Sequence, residues 1–158
     1  MIALGRALAC LLLAVAAAPS AGAGIALTDD LGRQVSLPGP ARRVVTLAPS
    51  ITEAAFAVGS GPRVVGASAW SDYPAEAAKL PVVSSAAGVE FEALARLAPD
   101  LVIAWKDSFR PADIPRLEAL GARVFVVQSR TLAEIPRLLA LTATLTGGDA
   151  GYAAREFE

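Results

Sequence analysis

The sequence predicts an α/β domain in which a mostly parallel sheet is covered by helices on both faces. Short, continuously apolar segments recur along the chain, and such segments are typical of strands that are buried on both faces. Segments of roughly ten residues with helical character separate them, as the crossovers between parallel strands require. Glycine and proline stand at the boundaries between the two kinds of segment.

Residues 1–23 have the pattern of a secretory signal peptide. Arg6 is the only charge in a short N-terminal region, and an apolar run over residues 7–18 follows it. We prefer cleavage after Ala23, because an earlier cut would place Pro19 directly behind the scissile bond. We therefore expect an exported protein. A membrane anchor is the alternative, but the apolar run is shorter than the ~20 residues of a spanning helix.

Residue counts exclude several classes of function. The only cysteine, Cys10, lies within the leader, so we expect the exported chain to contain no disulfide. The chain has no histidine, which disfavours a zinc or copper site and removes the commonest general base. Removal of Arg6 with the leader leaves 13 basic against 15 acidic residues, a net charge of −2. Nothing in this balance suggests a nucleic-acid partner.

The first elements after the leader are predicted from alternation and from turn residues. Residues 25–37 (IALTDDLGRQVSL) alternate around Asp-Leu-Gly and predict a small hairpin at the edge of the domain. Residues 43–48 (RVVTLA) predict a short buried strand, and residues 49–58 predict the helix that follows it. Ser50 is a candidate N-cap of this helix, with Glu53 completing a capping box.

Apolar runs and helical segments then alternate along the chain. The further predicted strands are residues 63–67, 81–84, 100–105 and 123–127. The further predicted helices are residues 75–79, 90–97, 111–120 and 131–145, the last with Pro136 in its first turns. Residues 149–158 resemble the opening turns of another helix without a stop signal. We expect a truncated protein or a fragment, with a short gene product as the alternative.

The carboxyl edge of the predicted sheet is where a ligand is expected, because open parallel sheets bind ligands beyond the carboxyl ends of their strands. Trp70 lies just beyond a predicted strand and Trp105 ends another at this edge, and their flat apolar faces suit a large, partly apolar ligand. Packing beneath a loop is the alternative role for each of them. The candidate ligand-binding residues are Pro49, Ser50, Trp70, Asp72, Tyr73 and Trp105.

Enzymatic chemistry has little support in the sequence. The chain lacks a GxSxG elbow, a Walker A loop and a GxGxxG turn after a strand. Asp100 precedes its strand and therefore lies at the edge opposite to the expected site. An extracytoplasmic enzyme would have to use Asp72 or Asp107 as its base, so we name no catalytic residue, metal or cofactor.

Three segments resemble the substrate-binding proteins of ABC importers for cobalamin, haem and ferric siderophores, and the vitamin B12-binding members in particular. They are residues 44–59 (VVTLAPSITEAAFAVG), 66–83 (GASAWSDYPAEAAKLPVV) and 94–105 (LARLAPDLVIAW). The resemblance implies a Rossmann-like first lobe of a two-lobed periplasmic binding protein over residues 24–146. Residues 147–158 would then begin the helix to the second lobe. Such a protein captures its ligand and delivers it to an inner-membrane permease.

The resemblance also implies roles for particular residues. Trp70 and Trp105 match aromatic residues that contact the corrinoid in the B12-binding proteins. Ala86 stands where a third aromatic residue falls, which favours a related corrinoid or a differently shaped cleft. Glu92 matches the acidic residue that docks the first lobe onto the permease. Stabilisation of a helix N-terminus is the alternative role for Glu92 and for the neighbouring Glu90.

Two further alternatives follow from the same resemblance. The ligand could be a ferric siderophore or haem, for which Arg110 or Arg130 would supply polar contacts in place of a corrinoid's stacking. A single lobe could also be an inert product, because it would supply only part of the cleft and leave much of the ligand in water.

Overall fold

Eight strands and five helices occupy residues 24–157, which the computed structural model describes. The strands are β1 (Ile25–Thr28), β2 (Gln34–Leu37), β3 (Val44–Thr46), β4 (Val64–Ser68), β5 (Val82–Ser85), β6 (Gly88–Val89), β7 (Leu101–Trp105) and β8 (Arg123–Val127). The helices are α1 (Pro49–Ala57), α2 (Phe91–Leu97), α3 (Ile114–Ala119), α4 (Ile135–Thr146) and α5 (Tyr152–Phe157). The predicted leader, residues 1–23, lies outside the described residues.

Six strands form one sheet in the order β6-β5-β4-β3-β7-β8, and all neighbours except β5 and β6 run parallel. The chain leaves β3 towards β4 on one side and later returns to place β7 on the other side. The strand order therefore changes direction at β3, and such a switch point opens a crevice beyond the carboxyl ends of the strands. The predicted mostly parallel sheet is confirmed.

Helices cover both faces of the sheet, as the sequence predicts. In β7, Leu101 and Ile103 point to one face, where the β1–β2 hairpin, α1 and α4 pack. Val102 and Ala104 point to the other face, where they meet apolar side chains of α2 and α3. All four side chains are fully buried. The continuous apolar run of this strand reflects that burial on both faces.

Three local predictions differ from the structure. Ser50 is not the N-cap of α1: Ala48 occupies that position without a side-chain cap, and Pro49 takes the first helical turn. The helices predicted over residues 75–79 and 111–120 are partly or wholly 3-10 turns, Ala77–Lys79 and Pro111–Asp113. The antiparallel strand β6 was not predicted, because two residues are too few to produce a periodic pattern.

The predicted hairpin is confirmed, with β1 and β2 antiparallel, and a buried carboxylate holds its turn. Asp29 is 4% exposed and accepts hydrogen bonds from the backbone N–H groups of Leu31 and Arg33 at 3.0 and 2.9 Å. The Arg33 guanidinium also donates to Asp29 at 2.7 Å and to the Val124 carbonyl at 2.7 Å. The turn is therefore fixed to β8.

Asp30 makes a second attachment between the hairpin turn and the parallel sheet. Its carboxylate accepts hydrogen bonds from the Gln128 backbone N–H at 2.7 Å and from Arg137 Nη2 of α4 at 2.6 Å. Partial burial of Asp30 opposes ionisation, but these donors and the charges of Arg137 and Lys106 outweigh it and lower the pKa of Asp30. The ionised form is thus favoured in the folded state.

Asp30→Asn should lower the free energy of unfolding at neutral pH by about 1–2 kcal/mol, because a charge-assisted contact to a half-exposed Arg137 is lost. The folded-state pKa lies below the unfolded value of about 4, so the stabilisation is present above that pH. It disappears as the pH falls through about 4 towards the lowered pKa. Urea denaturation from pH 7 to pH 3 measures this, with exposed Glu76→Gln as the control. An unchanged difference between wild type and variant across that range would contradict the assignment.

The described chain ends in a short helix that packs on α4, and the linker before it contacts the end of α1. Gly147 ends α4 with a φ of +67°, and the Asp149 N–H then donates to the Val58 carbonyl at 2.8 Å. The helix α5 begins at Tyr152 and packs on α4. The division of the chain at residues 146 and 147 into a lobe and the start of an interlobe helix stays a prediction.

Candidate functional site

A cleft of about 440 Å³ opens at the carboxyl edge of the sheet, beside the switch point. Four chain segments form its walls: the ends of β3, β4 and β5 and the loop after β7. The lining residues are mostly small or apolar, with a few polar groups among them. Those that matter here are Pro49, Ser68, Trp70, Ala86, Phe109 and Arg110. Its volume lies within the range of small-molecule sites.

Trp70 is the most exposed large apolar side chain of the described residues, with 86% of its surface accessible. Its backbone has a φ of +67°, a left-handed conformation that a bulky residue rarely adopts. Such a conformation costs on the order of 1–2 kcal/mol, and residues held this way concentrate at functional sites. An exposed aromatic ring on strained backbone thus stands at the mouth of the cleft.

Arg110 reaches across the cleft from the loop after β7. A Cβ placed on Gly88, at the turn between β5 and β6, would lie 3.5 Å from Arg110 Nη2. Asp113 accepts a hydrogen bond from Arg110 Nε at 3.2 Å and orients the guanidinium. A guanidinium has five donors, so its Nη groups keep donors for a ligand. From the sequence, Arg110 was predicted to contact a ligand only if that ligand is a ferric siderophore or haem.

The structure brings two of the predicted binding residues together in the cleft, Pro49 and Trp70. Asp72 is exposed and lies with Trp70 in a smaller pocket of about 200 Å³ on the side of β4 and β5. Ser50 and Tyr73 instead line a separate groove of about 370 Å³ between α1, α4 and α5. Ser50 follows Pro49 on α1, and a step of about 100° around the helix places it on a different side.

Trp105 is half-buried and packs against the apolar cluster beneath α1 and α4, and it is not among the residues that line the cleft. Trp105 lies two residues after Ile103 in β7, so both side chains point to the same face of the sheet, where that cluster lies. Its backbone still contributes to the edge, since the Trp105 carbonyl accepts a hydrogen bond from the Ser108 N–H at 3.2 Å. Stacking of Trp105 on a ligand stays a prediction.

The remaining candidates occupy other places. Asp100 accepts hydrogen bonds from the backbone N–H groups of Arg42 and Arg43, at 2.8 and 2.9 Å, and so joins the start of β7 to the start of β3. Asp107 accepts from Gln128 Nε2 at 2.9 Å. Glu92 is exposed in the first turn of α2.

Another pocket, polar and of about 420 Å³, lies at the end of β8. It is lined by Arg130 and by the ion pair between Asp30 and Arg137. Its groups are largely paired with one another: Lys106 Nζ donates to the Asp30 carbonyl at 2.7 Å, and Glu134 Oε2 accepts from the Arg130 N–H at 2.5 Å. No cluster of three or more metal-ligating side chains occurs within residues 24–157. We therefore place the candidate site in the cleft.

A sequence profile described as periplasmic binding protein matches residues 44–154, which is more than half of the chain. This chain belongs to that family. The matched region contains every wall of the cleft. Within the part of the chain that the structure describes, no helix combines the length and apolarity needed to cross a bilayer.

Curated relatives include vitamin B12-binding proteins. One from Pectobacterium carotovorum subsp. carotovorum is 39% identical over 103 residues, which are 65% of this chain and 37% of that protein. Another from Salmonella typhimurium is 43% identical over 95 residues, 60% of this chain and 35% of that protein. This chain thus spans well under half the length of the curated relatives that it matches.

Solved structures give the same fold. The periplasmic vitamin B12-binding protein of Vibrio cholerae superposes with a TM-score of 0.65 at 33% identity, over 73% of this chain and 45% of that chain. A periplasmic haem-binding protein in complex with two haems superposes with a TM-score of 0.63 at 30% identity, over 74% and 45%. The predicted α/β fold of a periplasmic binding protein is confirmed.

Proposed function

We propose that this chain binds a corrinoid, vitamin B12 or a close relative, at the carboxyl-edge cleft and serves in its delivery to an ABC importer. The observation that carries the proposal is Trp70, an 86% exposed ring on left-handed backbone at the cleft mouth. It is supported by identities of 39% over 103 residues and 40% over 98 residues to vitamin B12-binding proteins. The flat apolar face of the ring is suited to stacking on a macrocycle. Residues 1–23 would direct the chain to the periplasm.

The composition of the cleft supports binding without chemistry. Arg110 and Asp113 are the only titratable residues that line it, and they are hydrogen-bonded to each other. General acid–base or nucleophilic catalysis needs a reactive group next to a titrating base, and the one carboxylate of these walls, Asp113, is bound to Arg110. The proposed role is therefore capture and release of an unchanged ligand, with no cofactor or metal of the protein's own.

A haem or a ferric siderophore is the second candidate ligand, and Arg110 is the observation that favours it. The Arg110 side chain is 72% exposed, and Nη2 extends to the Gly88 side of the cleft. Guanidinium groups form strong, bidentate hydrogen bonds with carboxylates. An anionic ligand would form such hydrogen bonds with Arg110, whereas the neutral face of a corrinoid would form fewer of them.

Equilibrium dialysis of the complete chain against cobalamin, cobinamide, haem and a hydroxamate siderophore distinguishes these candidates. The proposal predicts that both corrinoids bind, and that each binds better than haem or the siderophore. Cobinamide lacks the nucleotide loop, so similar affinities for the two corrinoids would place the corrin ring itself in the cleft. Binding of haem with no binding of either corrinoid would overturn the proposed ligand and leave the fold assignment intact.

Glu92 is the proposed contact with the permease. It is exposed on α2, and the five ion pairs within residues 24–157 do not include it. Exposed charges at an interface act mainly on orientation and association rate. Glu92→Gln should therefore slow association with the cognate permease in nanodiscs severalfold and leave corrinoid affinity unchanged. Glu90→Gln, two residues away and also exposed, is the matched control, and an equal effect of both variants would contradict a specific role for Glu92.

A further inference from the structure

Four buried hydroxyl groups form a continuous chain behind the cleft, and we call them the hydroxyl chain: Thr46, Thr52, Ser71 and Ser68. Thr46 Oγ1 and Thr52 Oγ1 lie 2.7 Å apart. Thr52 Oγ1 lies 3.1 Å from Ser71 Oγ, which in turn lies 3.1 Å from Ser68 Oγ. The hydroxyl chain joins β3, α1, the loop after β4 and the end of β4.

The hydroxyl chain is sealed from solvent at one end and reaches the cleft at the other. Thr46 and Thr52 are 0% exposed, and Ser71 is 8% exposed. Ser68 is 7% exposed and lines both the cleft and the smaller pocket beside it. Buried hydroxyls in apolar surroundings persist where their hydrogen bonds are satisfied, and each of these has at least one partner.

Trp70 lies between Ser68 and Ser71, the two serines of the hydroxyl chain. Its neighbour Ala69 donates its N–H to the Ser84 carbonyl of β5 at 2.7 Å, and Ser71 donates its N–H to the Ser68 carbonyl at 3.3 Å. The backbone on both sides of Trp70 is therefore attached to the sheet, while its own ring is exposed. Strained conformations persist only where the surroundings determine them, and the hydrogen bonds of Ala69 and Ser71 are the contacts that flank Trp70.

We propose that Thr52 and Ser71 are positioning residues of the cleft, which hold Trp70 in its left-handed conformation through the hydroxyl chain. Thr52 is the central member, since it contacts Thr46, Ser71 and the Ala48 carbonyl, the last at 3.2 Å. It thereby connects the first turn of α1, where Pro49 lines the cleft, with the loop that presents Trp70. The consequence for affinity rests on the proposed function, whereas the consequence for the Trp70 backbone does not.

Thr52→Val tests this, because valine keeps the shape of threonine and carries a methyl group in place of the hydroxyl. In the complete ¹⁵N-labelled chain, the backbone order parameter of Trp70 should fall from about 0.85 towards about 0.6. Thr142→Val is the matched control: Thr142 is 1% exposed, and its hydroxyl donates only to a carbonyl one helical turn earlier, that of Leu138, at 2.8 Å. The control should leave the order parameter of Trp70 unchanged.

A double-mutant cycle with Trp70→Ala measures the effect on cobalamin affinity. Thr52→Val alone should weaken binding at least about threefold, and it should have no further effect once Trp70 is absent. Equal losses in both backgrounds, or an unchanged order parameter of Trp70, would overturn the proposal. If Thr52→Val does not fold, Ser71→Ala removes the neighbouring hydroxyl of the hydroxyl chain. The same two outcomes for that variant would overturn the proposal. If the wild type binds no corrinoid, the proposed function fails, and the order parameter alone decides on the positioning role.

Discussion

Trp70→Gly is expected to weaken corrinoid binding at least about 30-fold while the folded chain becomes more stable by about 1 kcal/mol. The loss of affinity follows from removal of an exposed aromatic anchor, for which a loss of about 2 kcal/mol or more is typical. The gain in stability follows from the φ of +67°, which costs tryptophan strain and glycine almost none. Part of the gain is offset by the greater conformational freedom of glycine in the unfolded chain.

Trp70→Ala separates the two effects. Alanine also lacks the ring but keeps a Cβ at the strained position, so binding should fall as far as in the glycine variant without the gain in stability. Isothermal titration with cobalamin and urea denaturation measure the two quantities. Leu132→Ala, at an 83% exposed apolar side chain beyond β8, is a control for nonspecific loss of apolar surface. A glycine variant that is less stable than the alanine variant would contradict the assigned strain.

Phe125→Ala should lower the free energy of unfolding by about 3–5 kcal/mol, the largest effect on stability that we predict. Phe125 lies in the middle of β8 and is fully buried in the cluster beneath the hairpin, α1 and α4. Its removal leaves a cavity that a parallel sheet fixed on both sides cannot readily close. Since small domains have only about 5–15 kcal/mol of stability, the variant should be marginally folded at 37 °C.

Phe157→Ala is the matched control for that loss. Phe157 is 52% exposed at the end of α5, so the same substitution there should cost less than about 1 kcal/mol. Urea denaturation with a fitted slope reports both values, and an unchanged slope confirms that the unfolded states are comparable. Equal losses from the two substitutions would mean that the sheet core does not dominate the stability of the chain.

The sheet was predictable because each strand of its centre carries its own signal. The apolar runs ending at Thr46, Trp105 and Val127 are buried on both faces, and no amphipathic pattern competes with them. The edge strand β6 was not predictable, because it exists only through pairing with β5 after a reversal at Gly88. The N-terminus of α1 was wrongly assigned because proline and serine are both favourable first residues, and only the backbone geometry decides between them.

The candidate site was predicted less completely than the fold. The alternation of strands and helices predicts a site at the carboxyl edge of the sheet, where the structure has a cleft that Pro49 and Trp70 line. Adjacent residues can nevertheless face different surfaces, which is why Ser50 lies in the groove between α1 and α4. The hydroxyl chain could not be found from the sequence, since Thr52 and Ser71 are far apart along it and meet only when α1 packs against the loop after β4.

Chemical-shift mapping of the ¹⁵N-labelled chain with cobalamin tests the location and the ligand together. Corrinoid binding at the carboxyl edge predicts saturable shifts of the backbone amides at the cleft walls, in residues 68–70, 84–89 and 108–110. It also predicts that the groove between α1, α4 and α5, which contains Ser50 and Tyr73, stays unperturbed. Shifts confined to that groove, or no saturable shifts at any cobalamin concentration, would contradict corrinoid binding at the carboxyl edge.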